Sequence, residues 1–285
     1  MKKKGIVLVC LLFLLTVAVV FVGYSYSNKQ QEKLIHATTA STTEETTEPA
    51  EKKEKEQAVD ITTYEENRDS LSIVEYLNYI QTVEKETAIA FYGQLPENAT
   101  WATKAEEYLK EQVTGELTSS SLVSEEADSY ELYITNTFNE LAETNASVVF
   151  FMVPALGDQV RDISLVDSED YLTRNVTSIK EVLPDALVVM VTPSPNSSGI
   201  EDYNSRMLDY IQYMENAKET AAANDWPVFD LHDLYMNKLE ADNIDLTATL
   251  EEDGYSLNSQ GEELMSELFI EELSKPIDTT SGREE

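Results

Sequence analysis

Two short runs of uninterrupted apolar residues constrain the fold most. Ser147 to Val153 reads SVVFFMV and Ala186 to Thr192 reads ALVVMVT. Each is too short for a buried helix, rich in β-branched and aromatic residues, and lacks the polar alternation of a half-exposed strand. That is the pattern of a strand covered on both faces, which occurs in parallel sheets sandwiched between helices. A third run, Ala88 to Tyr92, has the same character and stops at Gly93. Between these runs lie amphipathic segments with helical spacing. They are Ser70–Glu84, Trp101–Val113 (capped by Asn98 or Thr100), Asp128–Thr144, Asp167–Leu183 (capped by Ser168), Asp202–Asn224, Leu231–Leu239 and Gln260–Leu273. Leu117–Val123 and Trp226–Asp230 read as further short strands, and Pro154–Val166 and Thr247–Ser259 as loops. Strand and helix alternate throughout, which predicts an α/β fold, a three-layer α/β/α sandwich around a parallel sheet with right-handed crossovers. In such sheets ligands and catalytic groups gather at the C-terminal strand ends, which here begin at Gly93, Gln94 and Leu95.

The folded domain is expected over 61–275. Before it, Lys2, Lys3 and Lys4 precede an uncharged stretch, and Ile6 to Tyr24 is long enough to cross a hydrocarbon core of about 30 Å. Residues 1–27 are therefore expected to be cytoplasmic lysines and a single-pass transmembrane helix, with the lysines inside and the rest of the chain outside the cell membrane. A cleaved signal peptide is the alternative. Residues 28–60 are Thr, Glu and Lys with one proline, Pro49, a composition expected to form a disordered stalk. The tail 276–285 is polar and expected to be disordered as well. The single cysteine, Cys10, precludes an intrachain disulfide. A net charge of −34, from 54 acidic and 20 basic residues, opposes binding to a phosphate backbone and so excludes nucleic acid as a partner.

Three features together resemble the SGNH/GDSL hydrolase family. They are IAFYG with a tryptophan shortly after it, YLTRNVTSIKEVLPDALVVMVTPSP followed by a long helix, a strand and DLHDLY, and EDGYSLNSQGEELM. The last is similar to the family's closing block, Asp-Gly-x-His-x-Asn-x-x-Gly. The resemblance covers about Ala88 to Leu273. It implies a flavodoxin-like sheet and an esterase ancestry. The family's chemistry uses a serine nucleophile, a histidine base oriented by an aspartate, and an oxyanion hole from the serine N–H, a glycine N–H and an asparagine.

Those residues carry over poorly. Where the family has Gly-Asp-Ser the chain has Gly93, Gln94 and Leu95. No glycine lies between Glu116 and Leu156 for the second block, and VPALGDQ lacks the asparagine of the third. In the closing block Asp253, Gly254, Asn258 and Gly261 match, but Ser256 stands in the histidine position. His232, the domain's one histidine, is expected at the surface or as a helix cap. Asp158 and Asp253 are the carboxylates that might pair across the sheet end for a cation or acid/base work, but no metal and no cofactor is expected. The leading expectation is an extracytoplasmic domain without ordinary serine-esterase activity whose cleft binds cell-envelope polysaccharide or a surface protein. The competing one is a divergent esterase or acyltransferase on cell-wall polysaccharide, working through Asp253 and Ser256. A purely structural module is the third.

Overall fold

A computed structural model describes residues 61–200 and 202–283. The expected anchor and stalk lie outside the described residues. Among the described residues no helix is long and apolar enough to cross a membrane.

The sheet has five parallel strands: β1 Thr87–Gln94, β2 Leu117–Ser124, β3 Val148–Met152, β4 Leu187–Val191 and β5 Val228–Phe229. Their order is β2-β1-β3-β4-β5, the flavodoxin-like order. The apolar runs are indeed the central strands. Every residue of β3 and β4 is buried, and all of β1 is buried except Gln94. Successive side chains alternate between faces and feed two cores. Ile89, Phe91, Phe150, Val189 and Phe229 pack on one side of the sheet, and Ala90, Tyr92, Phe151, Val188 and Met190 on the other. On the first side Phe269 meets Trp101, Phe150 and Phe229 edge-on with centroids 5.2, 5.2 and 5.7 Å apart.

The helices are α1 Ile61–Glu66, α2 Ile73–Glu84, α3 Thr100–Gln112, α4 Ser129–Ile134, α5 Phe138–Leu141, α6 Ala155–Arg161, α7 Leu165–Val182, α8 Tyr210–Ala223, α9 Leu231–Asp242 and α10 Ser259–Leu273. Residues of α2, α3, α9 and α10 line the first core, those of α4, α7 and α8 the second. The N-terminus of α3 is not capped from its own loop. Glu262 on α10 accepts from the Trp101 N–H and the Thr100 hydroxyl, both at 2.7 Å, replacing the expected local cap at Asn98 or Thr100.

Other expectations need correction. The segment Asp128–Thr144 is broken, because Asn136 (φ 55°) turns into the left-handed region and starts a new helix. Residues 202–209 form a loop rather than the start of α8, with Asn204 and the left-handed Met207 (φ 60°) at its turn. Ser164, not Ser168, caps α7: its hydroxyl accepts from the Asp167 N–H, while Ser168 is buried. The tail is not loose through its described part. Thr279 is fully buried and its hydroxyl donates to the Arg68 carbonyl at 2.5 Å, the Ile277 N–H reaches the Leu71 carbonyl, and the Arg283 N–H donates to Tyr76 Oη. Partners more than 200 residues away order a segment whose composition alone would leave it free.

Candidate functional site

In the order β2-β1-β3-β4-β5 the chain reverses direction of winding between β1 and β3, and the crevice at their C-terminal ends is where such sheets bind ligands. A cleft of ≈ 90 Å³ lies there. Leu95, Trp101, Met152 and Leu156 form its apolar walls, and Gln94, Ser194, Tyr255 and Ser256 bring polar atoms to it. Glu125 stands at the rim and is shared with a broader groove of ≈ 590 Å³ along Gln94, Asp128, Gly157, Val160 and Arg161.

Gly93 shapes the floor. Its φ of 114° is a glycine conformation, and a Cβ there would lie 2.3 Å from the Met152 carbonyl oxygen. The next residue, Gln94, is not idle: its Nε2 donates to the Glu125 carbonyl at 3.0 Å and its Oε1 accepts the Gly157 N–H at 3.2 Å. The side-chain amide thus cross-links the loops after β2 and β3, and it occupies the backbone N–H that Gly157 would otherwise turn to a ligand. Leu95 is 7% exposed and belongs to the first core. The residue that corresponds in sequence to the serine of Gly-Asp-Ser is thus a buried leucine.

The closing loop supplies the opposite wall. Asp253 accepts from the Tyr255 and Ser256 N–H groups, both at 2.8 Å, and from the Ser256 hydroxyl at 2.7 Å. These three donors hold its carboxyl below the usual carboxylate range. The Ser256 hydroxyl is thus a donor to Asp253 in this arrangement. Gly254, at φ 71°, passes the Ser197–Ser198 segment closely, and its carbonyl accepts both of their N–H groups at 2.9 and 3.2 Å. Asn258 is the N-cap of α10: Oδ1 accepts from Gln260 and Gly261, and Nδ2 donates to the Ala248 and Leu250 carbonyls. Every match to the family's closing block thus has a job in holding the loop.

Asp158 does not face Asp253. It is 1% exposed and sits beneath α4 and α7, where Oδ1 accepts the Ser129 N–H at 2.7 Å and Oδ2 the hydroxyls of Ser129 and Ser168 at 2.9 and 2.5 Å. Burial pushes its pKa up to about 6, against the pull of those donors. His232 is buried, not at the surface. Nε2 lies 3.2 Å from Tyr210 Oη and Nδ1 3.3 Å from Asp233 Oδ1, and Asp233 in turn holds Lys218. Burial lowers the His232 pKa and raises that of Tyr210 to about 12, so the pair is neutral near pH 7. Tyr210 Oη also accepts the Asn196 N–H at 3.2 Å, which anchors the loop after β4 that lines the cleft. The imidazole acts as support under the cleft, and no histidine lines it. Among the described residues no three His, Cys, Asp or Glu side chains are grouped to hold a metal ion.

Sequence reasoning missed Glu125, Ser194, Asn196 and Tyr255 as lining residues. The run PSPN after β4 was a signal for Ser194 and Asn196, because a strand that ends in two prolines must leave the sheet there.

The sequence matches no family model, and comparison with curated proteins finds no match. Solved structures do match. A GDSL-like protein from Parabacteroides merdae superposes with a TM-score of 0.53 at 12% identity, covering 66% of this chain and 95% of that one. A catalytic mutant of the acetylxylan esterase Axe2 from Geobacillus stearothermophilus gives 0.53 at 14% identity, over 70% and 97%. A carbohydrate esterase family 3 protein from Talaromyces cellulolyticus gives 0.51 at 12% identity, over 66% and 96%. With its five-stranded parallel sheet in flavodoxin-like order, the chain has the SGNH hydrolase fold.

Proposed function

We propose that the domain is a binding module built on a hydrolase fold, and that its cleft receives a neutral or amino-sugar unit of a cell-envelope polysaccharide without cleaving an ester. The observation that carries this reading is Leu95, packed into the core at the end of β1 where a nucleophile would have to emerge. The buried position of His232 supports it, since an ester hydrolysis of this class needs a base beside the nucleophile. The half-open ring of Tyr255 and the polar groups of Gln94, Ser194 and Ser256 suit a sugar's mixed faces. Glu125 and Asp253, with the net charge of −34, disfavour phosphorylated or acidic glycans.

The purified protein is expected to release no acetate from acetylated xylan or p-nitrophenyl acetate and to leave a serine-directed fluorophosphonate unreacted. It is expected to be retarded in affinity electrophoresis through neutral polysaccharide, and Tyr255→Ala is expected to relieve that retardation. Turnover abolished by one change at Ser194 or Ser256 would refute the proposal.

The hydrogen bond from Ser256 to Asp253 favours a second reading, a divergent esterase or acyltransferase working through that pair. The lowered Asp253 pKa weighs against it.

The three lysines and the apolar Ile6–Tyr24 run support anchoring of the domain on the outer face of a cell membrane. Fractionation of cells tests this. Protein in the soluble fraction, or protection from protease added outside intact spheroplasts, would overturn it.

A further inference from the structure

The strand β2 is the edge of the sheet, and its outer side has no strand partner among the described residues. Its register with β1 is unbroken over eight residues, from Thr87↔Leu117 to Gln94↔Ser124. The Leu95 N–H donates to the Ser124 carbonyl, so the even-numbered backbone groups of β2 point toward β1. In a parallel pair the intervening groups point the other way, which turns the N–H and C=O of Ser119, Ser121 and Val123 outward. None of these is bonded to any other described residue. Exposed edges are usually blunted by lysine, proline, a bulge or a short length. LTSSSLVS has none of these: it is uncharged, free of proline, regular, and about 26 Å long. Its surroundings are acidic. Glu116 precedes it, Glu125 and Glu126 follow it, and those two with Glu97 line a pocket of ≈ 430 Å³ at its C-terminal end. The lysines of the adjoining α3, Lys104 and Lys110, are engaged by Glu263 and Glu106.

We propose that β2 is a docking edge for an extended polypeptide segment of another protein, carrying basic residues at its ends and adding to the sheet as a sixth strand. Backbone hydrogen bonds to Ser119, Ser121 and Val123 supply the affinity, and the carboxylates at both ends of the strand select a cationic partner. The same charges repel a second copy of this acidic chain. The proposal does not depend on what the cleft binds.

The test uses the full chain and three synthetic peptides, read by fluorescence anisotropy. One has alternating Thr and Val with two lysines at each end, one has glutamates in place of the lysines, and one is the lysine peptide N-methylated at alternate residues. The lysine peptide is expected to bind, at least tenfold more tightly than either of the others, and to slow hydrogen exchange at Ser119, Ser121 and Val123. Ser121→Pro removes one outward N–H and leaves the ladder to β1 intact, so it is expected to weaken binding at least tenfold with an unchanged melting temperature. Glu116→Lys with Glu126→Lys is expected to weaken binding by a similar factor without touching the strand. No binding at millimolar peptide, equal binding of the glutamate peptide, or wild-type affinity in folded Ser121→Pro would overturn the proposal. So would amides of β2 already protected in the free protein, through cover by its own N-terminal residues or by a second copy in a dimer detected by sedimentation.

Discussion

The loop that leaves β1 and the loop that precedes α10 line the same cleft, yet they are built in opposite ways. At the first, Gly93 is pinned by the Met152 carbonyl and Leu95 is drawn into the core, so this wall is dry and closed. At the second, Asp253, Tyr255 and Ser256 remain exposed, and the Asp253 carboxylate is tied to the two residues that follow Gly254. The cleft thus has two unlike walls. On one side a side chain is packed into the core, while on the other an exposed turn presents polar groups to a ligand.

Breaking the closed wall should have the largest effect. Gly93→Ala must move backbone, since the Cβ would sit 2.3 Å from a carbonyl oxygen, and about 3 kcal/mol or more of stability should be lost in urea unfolding. Leu95→Ser tests whether the nucleophile alone is missing. It should cost about 2–3 kcal/mol through a buried cavity and an unpaired hydroxyl, and esterase assays should still read background because no histidine lines the cleft.

The cluster behind the closed wall gives a pH signature. Asp158 has a folded pKa of about 6, above its unfolded value, so the native state holds its proton more firmly. Its contribution is fully present below about pH 4 and is lost as pH rises through 6, an effect of at most about 3 kcal/mol. His232 acts oppositely: its lowered pKa withdraws stability as pH falls below its unfolded value near 6.5. Asp158→Asn should therefore remove a gain in melting temperature between pH 7 and pH 5 and leave the loss due to His232. An unchanged pH profile would show that Asp158 is ionised in its pocket.

The open wall should yield less. Gly254→Ala meets the side chains of Ser198 and Ser197 rather than backbone, but in a left-handed conformation, and should cost about 1 kcal/mol. Ser256→Ala removes one exposed hydrogen bond to Asp253 and should change stability by less than about 0.5 kcal/mol. If Ser256→Ala destabilised the protein as much as Gly93→Ala, the contrast between the walls would collapse.

The sheet was legible because β3 and β4 carry their burial in an unbroken apolar run and strands alternate with helices, while the order of the strands was implied by the family resemblance alone. Helix ends were less legible. Ser164-x-x-Asp167 and Ser168 offer equally good caps locally, and only the buried Asp158 decides between them by claiming Ser168. The closing block, Asp253 to Gly261, lies in the loop before α10 and its first turn, where hydrogen bonds tie its residues together. An Asp three residues before the family's histidine position looks the same whether it orients an imidazole or caps a turn. His232 was misplaced because a polar residue early in a helix usually faces water. Tyr210 and Asp233 make its burial tolerable from elsewhere in space or from the next residue, and residue spacing does not report such a partner. The cleft's own lining comes from four separate loops, so only the fold assembles it.

Glu262 caps α3 from about 160 residues further along the chain, and Thr279 closes over Arg68 and Leu71. Both fastenings come from residues far later in the chain than the elements they close. An N-terminus-first chain therefore has β1 and β3 available long before the groups that finish the first helical layer. Closure of the domain waits for α10, which makes it a late and cooperative step. A truncation that removes as little as the final two dozen residues should leave a collapsed sheet with one face unsealed, and such a fragment would be the species most exposed to proteases.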